Sequence, residues 1–126
     1  MPEQGAYDGV AIVDDEAQLV RTYELIFQRR QIPVAFTAGD GEDALDRFRD
    51  ASPRPGVVIV DYRLPSMSGL ELMKSLLQID RGVKIVIISA DDSVRTEALK
   101  NGAAAFMKKP VSIQEIVGTI KSLMAA

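Results

Sequence analysis

The chain has 126 residues, 47% hydrophobic and 26% charged, which describes one soluble globular domain able to bury most of its surface rather than a disordered or membrane-spanning segment. Eighteen acidic against fifteen basic residues leave a net charge of -3 with no basic stripe, which argues against direct binding to nucleic acid. Histidine and cysteine are absent, so Ser-His and Cys-His nucleophiles and the usual zinc sites are excluded, and carboxylate, hydroxyl and amine chemistry remains.

In chain order, the start MPEQGAYDG has neither a basic stretch nor an apolar core, so no secretory leader is expected. The longest apolar run, Ala103 to Met107, is far too short to cross a bilayer, and a cytoplasmic setting without membrane contact is expected. Val10 to Val13 reads as the first strand. Residues 16 to 30 carry Leu19, Val20, Tyr23, Ile26 and Phe27 at helical spacing and close on Arg29 and Arg30, where the helix dipole favours cations. Ile32 to Thr37 is a strand that contains Pro33, which lacks a ladder donor and places it at a sheet edge.

A second helix begins after Asp40 and buries Ala44, Leu45 and Phe48, and the proline-rich stretch Ala51 to Gly56 connects it to the strand Val57 to Val60. Ser68-Gly69-Leu70-Glu71 has the form of a capping box and opens a third helix. Ile85 to Ile88 is the fourth strand, Asn101-Gly102 ends the fourth helix, and Ala103 to Met107 is the fifth strand. Ser112-Ile113-Gln114-Glu115 repeats the capping-box pattern and opens a helix with Ile113, Ile116, Val117, Ile120 and Leu123 on one face.

The central apolar runs do not alternate with polar residues, as expected of parallel strands covered on both faces. Strand and helix alternate five times, which predicts right-handed crossovers and a doubly wound α/β domain over residues 1 to 126, with helices on both sides of the sheet. In such sheets ligands bind beyond the carboxyl ends of the strands. Asp14 and Asp15 follow the first strand, Asp61 the third, Ser89 the fourth, and Lys109 lies just past the fifth.

Each of these residues alone has an ordinary role: Asp15 as a helix cap, Ser89 in a turn, Lys109 in solvent. Convergence at one edge changes the reading. Like-charged carboxylates at ~4 Å and an effective dielectric of ~20 repel by about 4 kcal/mol per pair, so a proton is retained or a cation binds. With oxygen donors alone the natural cation is Mg²⁺, which commonly completes its shell with phosphate oxygens and so points to phosphoryl transfer.

The strings AIVDDE at 11 to 16, VIVDYRLPSMSG at 58 to 69, VIISA at 86 to 90 and FMKKP at 106 to 110 stand in this order, each at the end of a strand. On them the chain resembles a receiver domain of two-component response regulators, of the single-domain chemotaxis type, from about Val10 to Leu123. The resemblance implies a flavodoxin-like (βα)5 fold with strand order 2-1-3-4-5. It implies Asp61 as phosphoacceptor, and Mg²⁺ (with Mn²⁺ or Ca²⁺ as substitutes) on Asp14, Asp15, Asp61 and the backbone carbonyl of Arg63. Lys109 and Ser89 would hold phosphoryl oxygens, with Ser89 and Phe106 as the switch pair and Lys109-Pro110 as a cis peptide. The implied donor is a phosphohistidine on a sensor histidine kinase or phosphotransfer protein, and the implied output is an unidentified protein or domain reached through the fourth helix, fifth strand and fifth helix. Ser89 would move toward the phosphoryl group, and Phe106 would turn inward into the space it leaves. Such a domain assists its own phosphotransfer and slow dephosphorylation without being an enzyme in the ordinary sense.

Four positions depart from the family pattern or border the site. Ser68 stands where an aspartate is common and keeps the capping chemistry, and Phe106 stands where many members carry tyrosine. Arg63 and Asp91, each two residues past a site residue, border the path of a hydrolytic water and are expected to tune the lifetime of the phosphorylated form. The sequence also leaves open a receiver-like module that works by protein contact without phosphorylation. A nucleotide- or flavin-binding domain is disfavoured by Asp14-Asp15-Glu16, which repels phosphate, and an aspartate-nucleophile phosphohydrolase by Arg63 where a second acid is usual. The span from Met1 to the last helix suits a stand-alone regulator and an excised domain equally.

Overall fold

The computed structural model describes residues 7 to 125; residues 1 to 6, part of the segment read as lacking a leader, and residue 126 lie outside the described residues. The elements run β1 Val10–Val13, α1 Ala17–Arg29, β2 Val34–Ala38, α2 Gly41–Asp50, β3 Val57–Asp61, α3 Gly69–Ile79, β4 Lys84–Ser89, a 3-10 turn Asp92–Val94, α4 Arg95–Lys100, β5 Ala105–Lys108 and α5 Ile113–Ala125. All strand pairs are parallel and the order is β2-β1-β3-β4-β5. This is the doubly wound, flavodoxin-like α/β architecture expected from the alternation of strands and helices.

The pleat explains why the strand runs lack polar residues. Side chains of one strand alternate between two faces, and both faces are covered. Ala11, Val13, Val58, Val60, Ile85, Ile87 and Phe106 pack with α2, α3 and α4 through Ala44, Phe48, Leu72, Met73, Leu76 and Ala98. Val10, Ile12, Val57, Ile59, Val86, Ile88 and Met107 pack on the other side with α1 and α5 through Val20, Tyr23, Phe27, Ile116, Val117 and Ile120. Each fully buried aliphatic side chain contributes roughly 1.5–3 kcal/mol, which makes β1, β3 and β4 a rigid base for the residues at their ends.

Several boundaries differ from those expected of the sequence. β2 begins at Val34, and Pro33 sits before it with its carbonyl accepting from Val10 N at 2.9 Å, so the proline is never asked for a ladder donor. β5 begins at Ala105, because Ala103 and Ala104 complete the turn after α4; Ala103 N donates to Ala98 O. Helix α1 is trimmed by one residue at each end relative to 16 to 30. Leu45 is half-buried, and Ile113 is 49% exposed at the start of α5 rather than within its apolar face. The capping box of α3 is complete, with Glu71 N on Ser68 Oγ and Ser68 N on the Glu71 carboxylate, and at α5 Ser112 Oγ accepts from Glu115 N. No helix among the described residues is long and apolar enough to cross a membrane.

Candidate functional site

Backbone hydrogen bonds carry the ladder one residue past β1, β3 and β5 and fix the residue at each strand's end. Asp14 N donates to Ala38 O of β2, Tyr62 N to Ile88 O of β4, and Lys109 N to Ser89 O of β4. Asp14, Asp61 and Lys109 are thereby held by their backbones at one edge of the sheet. Asp61, expected just beyond its strand, is the last residue of β3.

The β3–α3 loop is set by close approach. Gly69 N donates to Tyr62 O at 2.7 Å, and Arg63 and Ser68 form an antiparallel bridge across the loop. A Cβ on Gly69 would stand 2.6 Å from Asp61 O and 2.9 Å from Tyr62 Cα, both backbone atoms, so no side chain fits there. Ser66 turns the loop with a left-handed φ of 71°.

Asp14, Asp15 and Asp61 each bring a carboxylate oxygen within 4.8 Å of the others. Asp14 and Asp61 are buried and Asp15 is exposed. Lys109 Nζ lies 3.3 Å from Asp61 Oδ1 and 3.7 Å from Asp14 Oδ2. Asp15, which could have served as a cap, does not: Glu16 occupies the N-cap position of α1 without a side-chain bond, and Glu16 N donates to Asp14 Oδ1 at 2.9 Å. Lys109-Pro110 is a cis peptide, as the resemblance implies, and so is Ser52-Pro53, which no sequence motif announces.

The electrostatics are those of a crowded, partly desolvated cluster. Burial raises the pKa of Asp61 above the usual aspartate range, and Asp15 adds to the rise, while Lys109 and the Arg63 backbone N–H oppose it. Burial likewise raises Asp14, against the bond from Glu16 N, with Asp61 raising it further. The Lys109 ammonium thus pairs with Asp14 and Asp61, and Asp15 adds a third carboxylate to the cluster. Oxygen-only donors, two of them desolvated and underneutralised, suit a hard divalent cation such as Mg²⁺ and not a soft metal.

Across the crevice Ser89 is buried and its Oγ accepts from Asp91 N at 3.0 Å. The register pairs Ile87 with Phe106 and Ser89 with Lys108, so Ser89 and Phe106 share the face covered by α4. Phe106 is already buried, at 8% exposure, whereas the resemblance has it turn inward only after Ser89 moves. Arg63 and Asp91 lie at the mouth, where Asp91 is exposed and is held below the usual aspartate range by the Ser93 hydroxyl and backbone N–H, with Arg63 contributing.

Two residues near the site carry no mark in the sequence pattern. Arg95 stacks its guanidinium on Phe106, with Cζ 4.8 Å from the ring centroid. Tyr23 is a core residue of α1 whose pKa is raised by burial and then by the charges of Asp14 and Asp61. Helical spacing announces Tyr23 as apolar, and nothing in the spacing of Arg95 announces an aromatic partner. Beside Lys109 an apolar groove of about 460 Å³ opens between α1 and α5, lined by Leu19, Ile26, Pro110, Val111 and Ile113.

Comparison with known proteins agrees with this geometry. The chain is 33% identical over 117 residues to the probable transcriptional regulatory protein TcrX of Mycobacterium tuberculosis, covering 91% of this chain and 49% of that protein. It is 30% identical over 122 residues to the chemotaxis protein CheY of Treponema pallidum, covering 95% of this chain and 85% of that one. The chain therefore spans about half the length of the first relative and most of the second. Among solved structures, the complex of CheX and CheY with BeF3 and magnesium from Borrelia burgdorferi matches with a TM-score of 0.86 and 26% identity, covering 92% of this chain and 88% of that one. The response regulator receiver domain model matches residues 10–121, and the chain belongs to that family.

Proposed function

We propose that the chain accepts a phosphoryl group on Asp61 from a phosphohistidine of a partner kinase or phosphotransfer protein, and that the aspartyl phosphate changes the surface of α4, β5 and α5 to control a downstream partner. The observation that carries this reading is the placement of Asp61: a buried carboxylate, 3.3 Å from Lys109 Nζ and grouped with two further carboxylates. Holding these like charges together costs stability, and a metal-assisted reaction with a phosphorylated substrate gives that cost a use.

An Asp61 carboxylate oxygen would attack phosphorus in line with the departing imidazole nitrogen, forming a P–O bond as the P–N bond breaks. The transition state is loose and spreads charge over the equatorial oxygens. Lys109 would hold one of these oxygens as a point charge, and Ser89 would donate a hydrogen bond to another after giving up the bond from Asp91 N. Asp14, Asp15, Asp61 and the backbone carbonyl of Arg63 would hold Mg²⁺, whose chemistry when bound is to neutralise charge on the phosphoryl oxygens. Arg63 and Asp91 flank the mouth and would set how readily water reaches the product. The protein would then be a phosphoacceptor of the cytoplasm that assists its own transfer and slow hydrolysis, and not an enzyme acting on a separate substrate.

The direct test is incubation with acetyl phosphate or phosphoramidate and Mg²⁺, followed by intact-mass measurement. A gain of one acid-labile phosphoryl group on the wild type, absent from Asp61→Asn, is expected; no adduct on the wild type would sink the reading. One observation favours the second reading, a module that works by contact without phosphorylation: Phe106 is already buried. That reading gives no role to the acidic cluster.

A further inference from the structure

Phe106 has no hydroxyl to keep in water, and its ring closes the apolar cluster that also contains Val94 and Ala98 of the α4 region. What closes the cluster from outside is Arg95, the first residue of α4, whose guanidinium lies over the ring at 4.8 Å. Asp92 pairs with that guanidinium at the surface, both side chains about half exposed: its Oδ1 is 3.1 Å from Arg95 Nε and 3.0 Å from Arg95 Nη2. The same short segment is tied to the site, because Asp91 N donates to Ser89 Oγ at 3.0 Å and Ser93 N donates to Asp91 Oδ1 at 2.9 Å. A continuous set of contacts thus runs from the Ser89 hydroxyl through the 3-10 turn to the cap on Phe106.

We propose that Arg95, held by Asp92, is a positioning residue that latches Phe106 in its buried setting before any phosphoryl group arrives, so that the moving part of the switch in this chain is the Arg95–Asp92 cap and not the aromatic ring. The proposal rests, for its second half, on Ser89 acting as a phosphoryl ligand. When Ser89 Oγ turns away from Asp91 N, the 3-10 turn loses its tie to β4 and the cap is free to shift, while the ring stays in the apolar cluster. An aromatic residue with a polar tip would gain from moving outward; phenylalanine does not. Lysine in place of Arg95 would keep the charge but lose the planar stack and the two-point grip on Asp92.

The test uses the full chain labelled with 4-fluorophenylalanine, with the Phe106 fluorine resonance assigned by its loss in Phe106→Leu. In the resting protein the H2O/D2O isotope shift of that resonance is expected to be small, and to rise at least twofold in both Arg95→Ala and Asp92→Ala, with Arg95→Lys failing to restore it. An unchanged isotope shift in Arg95→Ala would overturn the latch, and this arm needs no phosphorylation. In the second arm beryllofluoride and Mg²⁺ are added to the wild type. The Phe106 isotope shift is expected to stay small while the Arg95 Nε–H signal loses its protection from exchange. Binding of beryllofluoride at Asp61 with the Arg95 signal unchanged would overturn the release step. Failure of beryllofluoride to bind would count against the phosphoacceptor reading and would leave the first arm to decide the latch.

Discussion

Lys109 reaches from the end of β5 to Asp61 at the end of β3 and touches Asp14 as well, at 3.3 and 3.7 Å. Its backbone N–H is fixed to Ser89 O, so its stem starts from the adjacent strand rather than from a free loop. Removing this ammonium is therefore expected to act twice. Lys109→Ala should slow phosphoryl uptake from acetyl phosphate by about 10²-fold, the scale of losing one placed charge stabiliser. It should also cost roughly 1–3 kcal/mol of metal-free stability, below the range for fully buried pairs because the Lys109 side chain is 26% exposed. Uptake rates by intact mass and urea melts in EDTA measure the two effects. Equal uptake by Lys109→Ala and wild type would remove Lys109 from the chemistry.

Gly69 gives a second prediction, about the backbone at Asp61. The added methyl of Gly69→Ala meets Asp61 O and Tyr62 Cα, and neither can rotate aside as a side-chain tip would. The strand end must shift, at a cost of about 1–3 kcal/mol. Uptake at Asp61 should fall by more than the loss of folded protein explains. A variant of wild-type stability and wild-type uptake would show that the loop tolerates the displacement.

How much of the fold and the site was legible in the sequence depends on the distance over which each feature is decided. Strand and helix order came through because burial on both faces leaves uninterrupted apolar runs, and the charged residues at strand ends stood out against them. Boundaries set by tertiary bonds did not: the Pro33 carbonyl serves Val10 across the sheet, which starts β2 two residues later than composition suggests. Ile113 carries the helical spacing of a core residue, yet it lies beside the groove between α1 and α5 and stays exposed. Arg95 was invisible because its partner, Phe106, is on another element and no periodicity links them. The buried setting of Phe106 itself is a packing result, fixed by Val94, Ala98 and the cap rather than by any motif.

The opposite end of the sheet supplies a control. Tyr7 OH donates to Asp80 Oδ1 at 2.8 Å, Gly82 N shares that oxygen, and Arg54 Nη1 lies 3.6 Å from Asp80 Oδ2. This cluster pins the segment before β1 to the connections before β3 and β4. Tyr7→Phe should cost about 1 kcal/mol, the usual net worth of one such bond, and leave phosphoryl uptake unchanged. Chemical denaturation reads the first effect and intact mass the second; an uptake defect in Tyr7→Phe would mean that the two ends of the sheet are coupled.

The acidic cluster makes stability depend on pH in a direction that the raised values of Asp14 and Asp61 determine. Both groups hold protons in the folded protein at pH values where the unfolded chain, with an ordinary aspartate pKa of about 3.9, has released them. The contribution of their protonated forms is therefore fully present below that value and is lost as pH rises through the raised folded values. In EDTA the wild type should lose stability relative to Asp61→Asn as pH rises above the ordinary aspartate value of about 3.9. Above the raised folded values the variant should be the more stable of the two, because its amide has no charge to keep desolvated. Saturating Mg²⁺ should reverse the order, since a bound cation stabilises the fold in proportion to ligand excess and Asp61→Asn has given up one of its ligands. The Mg²⁺ gain should also be larger at pH 7 than at pH 5, where protons compete for the same oxygens. Urea melts of both proteins across this pH range, with and without Mg²⁺, carry the whole prediction, and a gap between them that ignores both pH and metal would contradict it.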